Sequence, residues 1–95
     1  MIKNPEKLLT RAFERTVSLI HGEIREKCPV RTGRLKRSIA CEIKSGRGEI
    51  KTDVEYAAAV EFGAAGRRPN PFMKNGLSAA RVMIADIYRE EILNG

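Results

Sequence analysis

The side chains of this 95-residue chain that could do chemistry are one histidine, two cysteines, a scatter of carboxylates and a group of clustered basic residues. His21 is the single imidazole, and neither Cys nor Asp stands near it at the spacing of a zinc site or a nucleophile–base–acid triad. It reads as a partly exposed helix residue beside Ile20. Cys28 precedes Pro29 and has basic neighbours, which can lower a thiol pKa, yet no second histidine or resolving thiol accompanies it. Two cysteines without a secretory leader do not make a disulfide framework. Both are read as reduced thiols, Cys41 as a small core residue and Cys28 as a helix-end residue. Glu42, Glu49, Asp53, Glu55 and Glu61 are dense enough to raise metal binding or acid–base work. Most of them fall on the outward face or ends of an expected hairpin, interleaved with Lys44 and Lys51, where cross-strand charge pairing accounts for them. The glycine-rich stretches lack the spacing and setting of a P-loop or dinucleotide fingerprint. No reaction class, metal or cofactor follows from these residues, and the chain is not read as an enzyme.

The strongest electrostatic signal is basic. Arg31, Arg34, Lys36 and Arg37 cluster in one segment, joined by Arg47, Lys51, Arg67 and Arg68, in a chain of net charge +6. Such a set can grip phosphates or acidic protein faces, or simply solvate a loop. Aromatic residues make up 5% of the chain and do not alternate with the basic ones, as base-stacking readers require. Any nucleic-acid contact is therefore expected at the backbone, without sequence choice. One reading of the chain is thus a small, basic, non-sequence-specific nucleic-acid-binding protein.

The elements that must position these residues can be read from periodicity. The length fits one domain over 1–95 with a thin core, and no apolar run approaches the roughly 20 residues of a membrane span. Asn4 and Pro5 make a helix start, after which Leu9, Phe13, Thr16, Val17, Ile20 and Ile24 recur at helical spacing, with Leu8 and Ala12 on a flanking line. Pro29 ends this helix near Lys27 or Cys28. About 23 residues at helical rise give roughly 34 Å, as long as a compact ball of this chain is wide, so the helix spans the domain or projects from it. Thr32 caps a short turn over 34–37. From Ser38 the period becomes two: Ile39, Cys41 and Ile43 on one face, then a turn at Ser45-Gly46-Arg47-Gly48, then Ile50, Thr52 and Val54. Residues 56–62 read as a short helix closed by Gly63, and 63–70 as a mobile loop. Asn70-Pro71 starts a second long helix lined by Phe72, Met73, Leu77, Ala80, Ile84, Ile87, Tyr88 and Ile92, with Gly76 interrupting it at about 1 kcal/mol. The fold class is α+β: two long amphipathic helices on a small antiparallel sheet built around a hairpin.

Three motifs in order then carry a resemblance. The first is Pro-x-x-Thr-Gly-x-Leu-x-x-Ser-Ile, held by Pro29, Thr32, Gly33, Leu35, Ser38 and Ile39. The second is Tyr56 followed by Val60-Glu61-Phe62-Gly63, and the third is Pro71-Phe72-Met73. Together, over roughly 8–92, the chain resembles the small tail-component proteins of long-tailed bacteriophages and prophages. The pattern reads as a folding signature, with Leu35 and Ile39 plugging the core, Tyr56 and Phe62 closing the far end of the hairpin, and Phe72 docking the second helix. Two departures stand out: Arg31 where an acidic residue is common before Thr-Gly, and Ala64 where a Thr often follows Glu-Phe-Gly. The resemblance implies a structural part at the head–tail junction of a virion (tail completion, neck or tail terminator), present in the host bacterial cytoplasm during assembly. It implies a ring of identical subunits around the DNA channel, docked on connector or tail proteins, with non-specific DNA contact possible and no membrane. The loop 63–70, the hairpin tip and Arg31, Arg34, Lys36, Arg37, Arg47, Arg67 and Arg68 are the expected contact regions, the loop ordering on assembly.

Overall fold

A computed structural model describes residues 5–31, 33–64 and 66–94. Asn4 and Thr32, expected as caps, lie outside the described residues. The elements are α1 (Pro5–Lys27), α2 (Arg34–Ser38), β1 (Ala40–Lys44), β2 (Arg47–Lys51), α3 (Ala57–Phe62), α4 (Phe72–Arg81) and α5 (Ile84–Asn94). The α+β expectation holds, with the long first helix as the spine against which α4, α5 and the hairpin pack.

The buried line of α1 is Leu8, Ala12, Thr16, Val17 and Ile24, which joins the expected flanking residues Leu8 and Ala12 to Thr16, Val17 and Ile24 of the main line, while Leu9 is half exposed at 49%. The buried Thr16 hydroxyl donates to the Ala12 carbonyl at 2.8 Å, so it carries no orphaned polar group into the interface. At the C-terminal end of α1, Ile24 and Cys28 join Leu35, Ile39, Val54 and Phe72 in one buried cluster. Cys28 is therefore a core residue, whereas Cys41, expected in the core, is exposed.

Two differences concern α4 and α5. The second long helix is in fact two, broken at Val82 and Met83, where the Met83 N–H bonds the Ala80 carbonyl at 2.9 Å, three residues back, and tightens the turn. Gly76 does not break the helix. It is buried where α4 meets α1, and a Cβ there would collide with the Ile24 backbone. The helix-propensity cost of glycine is thus exchanged for close helix–helix approach.

The hairpin also departs from expectation. Only Ser45 and Gly46 form its turn, both with positive φ (51° and 74°), the pattern of a two-residue turn matched to strand twist. Arg47 and Gly48 belong to β2, in the register Ala40↔Lys51, Cys41↔Ile50, Glu42↔Glu49, Ile43↔Gly48 and Lys44↔Arg47. Its predicted buried face is largely uncovered: β1 is exposed throughout, and in β2 only Ile50 is half-buried. The reason is reach. Gly48 seats the hairpin on Val17 and Phe13 of α1, and a Cβ at Gly48 would lie 2.6 Å from a Val17 methyl. Cys41 remains exposed and Ile43 is 40% exposed.

The molecule measures 56 × 24 × 18 Å with a Cα radius of gyration of 15.8 Å. A compact chain of this length would give about 12 Å. The projecting-helix expectation is met by an elongated subunit.

Candidate functional site

The first two motifs meet at the C-terminal pole of α1. Gly33 adopts φ 83°, a left-handed conformation that suits glycine, and starts α2, with no side-chain cap bonded there. This places Leu35 inward and buried, and Arg34 outward. Ser38 closes the segment: its hydroxyl lies 2.6 Å from the Leu35 carbonyl and also meets the Thr52 hydroxyl, tying α2 to the segment that follows β2. Ile39, buried, offers its carbonyl to His21 Nε2 at 2.7 Å. The lone histidine is thus a half-buried strut between α1 and α2, more engaged than expected.

The second motif closes the other side. Gly63 has φ 79° and ψ 142°, and a Cβ there would lie 2.8 Å from the Arg67 carbonyl oxygen. The described residues after Gly63 return to α3, with the Asn70 N–H donating to Val60 O at 2.8 Å and the Arg67 N–H to Ala64 O at 3.0 Å. Glu61, read from the sequence as part of the second motif but not as a cap, caps α4: its carboxylate accepts from the Met73 N–H at 2.9 Å and the Lys74 N–H at 3.2 Å. The expected Asn70 cap is replaced, because Pro71 occupies the cap position and offers no side-chain bond. Glu61 therefore couples the second motif to the third, and Phe72, 1% exposed, docks α4 as expected. Phe62 does not close the hairpin. It is 75% exposed, because α3 turns its buried side, Val60, toward the core instead.

Between the two motifs lies a groove of about 590 Å³ lined by Pro29, Arg31, Gly33, Arg34, Leu35, Tyr56, Ala59, Val60, Ala64, Arg67, Arg68 and Asn70. Four of the seven candidate contact residues, Arg31, Arg34, Arg67 and Arg68, converge here from segments some thirty residues apart. Lys36 and Arg37 lie elsewhere on α2, and Arg47 stands at the hairpin end beside Glu42, Lys44 and Glu49. Arg34 is held in place by a two-pronged bond to Glu55, both at 3.0 Å, and by the Tyr56 ring, whose centroid lies 5.6 Å from its Cζ. The Arg34 hydrogen bonds hold the Glu55 carboxyl below its ordinary range. Among the described residues no carboxylate pairs with Arg31, Arg67 or Arg68. The floor of Leu35, Val60 and Tyr56 is apolar, so the groove offers positive charge around an apolar bed.

The hypothesised chemistry elsewhere has structural explanations. Burial pushes the Cys28 thiol pKa up, with Lys36 opposing in part. Lys51 Nζ lies 4.0 Å from Glu42 and 3.9 Å from Glu49, which stand opposite each other. No cluster of metal-ligating side chains occurs among the described residues, and no described helix is long and apolar enough to cross a membrane.

Comparison with known proteins matches residues 3–63 to the family described as "Bacteriophage HK97-gp10, putative tail-component". No curated protein and no solved structure gives a match. The matched span covers well over half the chain and includes both motifs that wall the groove. With the ordered motifs, the α+β architecture and this match in hand, the chain belongs to the HK97-gp10-like family of bacteriophage tail components.

Proposed function

We propose that this chain is a structural, non-enzymatic protein of the head–tail junction, acting in tail completion, as a neck part or as a tail terminator, and that it assembles as a ring of identical subunits. Family membership supports a phage structural role. The observation that carries the finer reading is an elongated subunit whose large apolar side chains stay uncovered along its length: Val30 at 64%, Phe62 and Leu93 at 75%, Val82 at 79%. A two-stranded hairpin is marginal alone, β1 is exposed throughout, and the outer face opposes Glu42 to Glu49 and Lys44 to Arg47, like-charge pairs that disfavour an isolated hairpin. Both features favour completion by neighbours, first in the host cytoplasm and then in the virion. Connector or tail-tube proteins are the natural further partners.

Electron microscopy of particles from a phage or induced lysogen lacking this gene tests the reading. Filled heads beside unattached or misterminated tails are expected; intact, infectious particles would overturn it. DNA contact is the second reading, favoured by Arg31, Arg67 and Arg68, with which no described carboxylate pairs. It requires DNA affinity that falls steeply with salt, which a filter-binding titration measures.

A further inference from the structure

We infer that the arginine-rimmed groove receives the last turn of α5 from a second copy of this chain, so that identical subunits join head to tail. The inference rests on the ring reading above and supplies its contact. A phosphate would use the arginine rim and leave the apolar floor idle. A ligand matching both must carry apolar side chains beside negative charge. The C-terminal end of α5 does so: Glu90, just before the last turn, is 57% exposed at its side chain, and within that turn Ile92 is 40% and Leu93 75% exposed. That turn contains no basic residue, and the free carbonyls of a helix C-terminus add partial negative charge. Within the subunit, Arg15 meets Glu90 at 2.9 Å and Glu91 at 3.1 Å, and a carboxylate has acceptor capacity left for a second guanidinium.

The placement of the two surfaces makes the contact intermolecular. The Arg15 bonds lay the end of α5 along the N-terminal half of α1, while the groove follows the C-terminus of α1 at Pro29. Arg15 stands twelve residues before Lys27, the last residue of α1, roughly 18 Å at helical rise, so the two surfaces lie apart along the molecule. A contact between two different patches is heterologous and closes into a ring when its rotation allows.

The test is sedimentation equilibrium and native mass spectrometry on the full chain. R67E/R68E is expected to weaken self-association roughly 30-fold or more, with circular dichroism and the melting curve unchanged, since both arginines are exposed. L93S should weaken it as well, through loss of the apolar part. E90K should be weak alone, yet mixing E90K with R67E/R68E chains should restore association, each reversed tail finding a reversed groove and each native tail a native one. Unchanged association in R67E/R68E, no recovery on mixing, or a wild-type chain that stays monomeric would each overturn the inference. If R67E/R68E loses only salt-sensitive DNA affinity, the groove belongs to phosphate instead. The gene-deletion particles report separately: defective particles with unaffected R67E/R68E association sink the contact and spare the junction role, whereas intact particles sink that role.

Discussion

The pole where α1 meets α4 and the hairpin show two ways of using the same kinds of residues. At the pole, Ile24, Cys28, Leu35, Ile39, Val54 and Phe72 come from the end of α1, from α2 and its cap, from the turn after β2 and from α4, and all are buried. In the hairpin, apolar residues alternate as regularly, yet Ile43 is 40% exposed and Cys41 is exposed outright. Alternation says which side chains share a face; it does not say that anything in the same chain covers that face. Here the subunit covers one end and leaves its flank open.

The sharpest probe of that contrast is thiol reactivity. Cys28 is buried with a raised thiol pKa and Cys41 is exposed. At neutral pH a maleimide should modify Cys41 roughly a thousandfold faster, since Cys28 requires opening of the core. Equal rates, followed by mass spectrometry, would break the comparison. Next, Phe72→Ala should cost about 3–5 kcal/mol in urea unfolding, the usual range for a buried phenylalanine. Glu61→Ala should cost about 1 kcal/mol by removing the carboxylate that caps α4. Ile43→Ser should change the free subunit by under about 0.5 kcal/mol, as an exposed position does. A larger loss would mean that the hairpin face is covered within the subunit.

The smallest effect concerns the groove rim. The Glu55 carboxyl titrates lower in the folded chain than in the unfolded one because Arg34 bonds it. Its stabilisation is therefore present above the ordinary glutamate value of about 4.3 and is lost as pH falls through the lower folded value. Both side chains are more than half exposed, so screening keeps the effect slight. Stability curves of wild type and Glu55→Gln should converge in acid, and curves that stay parallel would exclude the pair as a contributor.

Most of the architecture was legible because the strongest signals are local. Helical spacing gave α1, Pro29 its end, Gly63 the close of α3, and the change of period the hairpin. The split of α4 from α5 was not legible, since Val82 and Met83 carry no glycine or proline and the break shows only in the backbone bonding. The misleading signal was Gly76, whose missing side chain serves a helix crossing that exists only in the tertiary structure. Of the groove, the arginines were named from sequence but not their convergence, because nothing local relates Arg31 to Arg67. Glu61 was named in the second motif but not as a cap, since a carboxylate capping a helix eleven residues downstream leaves no short-range pattern. Phe62 was assigned inward by its type, and only the roll of α3 shows otherwise.

The 56 × 24 × 18 Å outline has a consequence for anyone handling the protein. A rod-like particle experiences more friction than a sphere of equal mass, so it sediments slowly and elutes early from a gel-filtration column. Against globular standards the free 10.6 kDa chain will therefore pass for something heavier. Subunit counts for this protein should accordingly be taken from light scattering or mass spectrometry, where frictional shape does not enter.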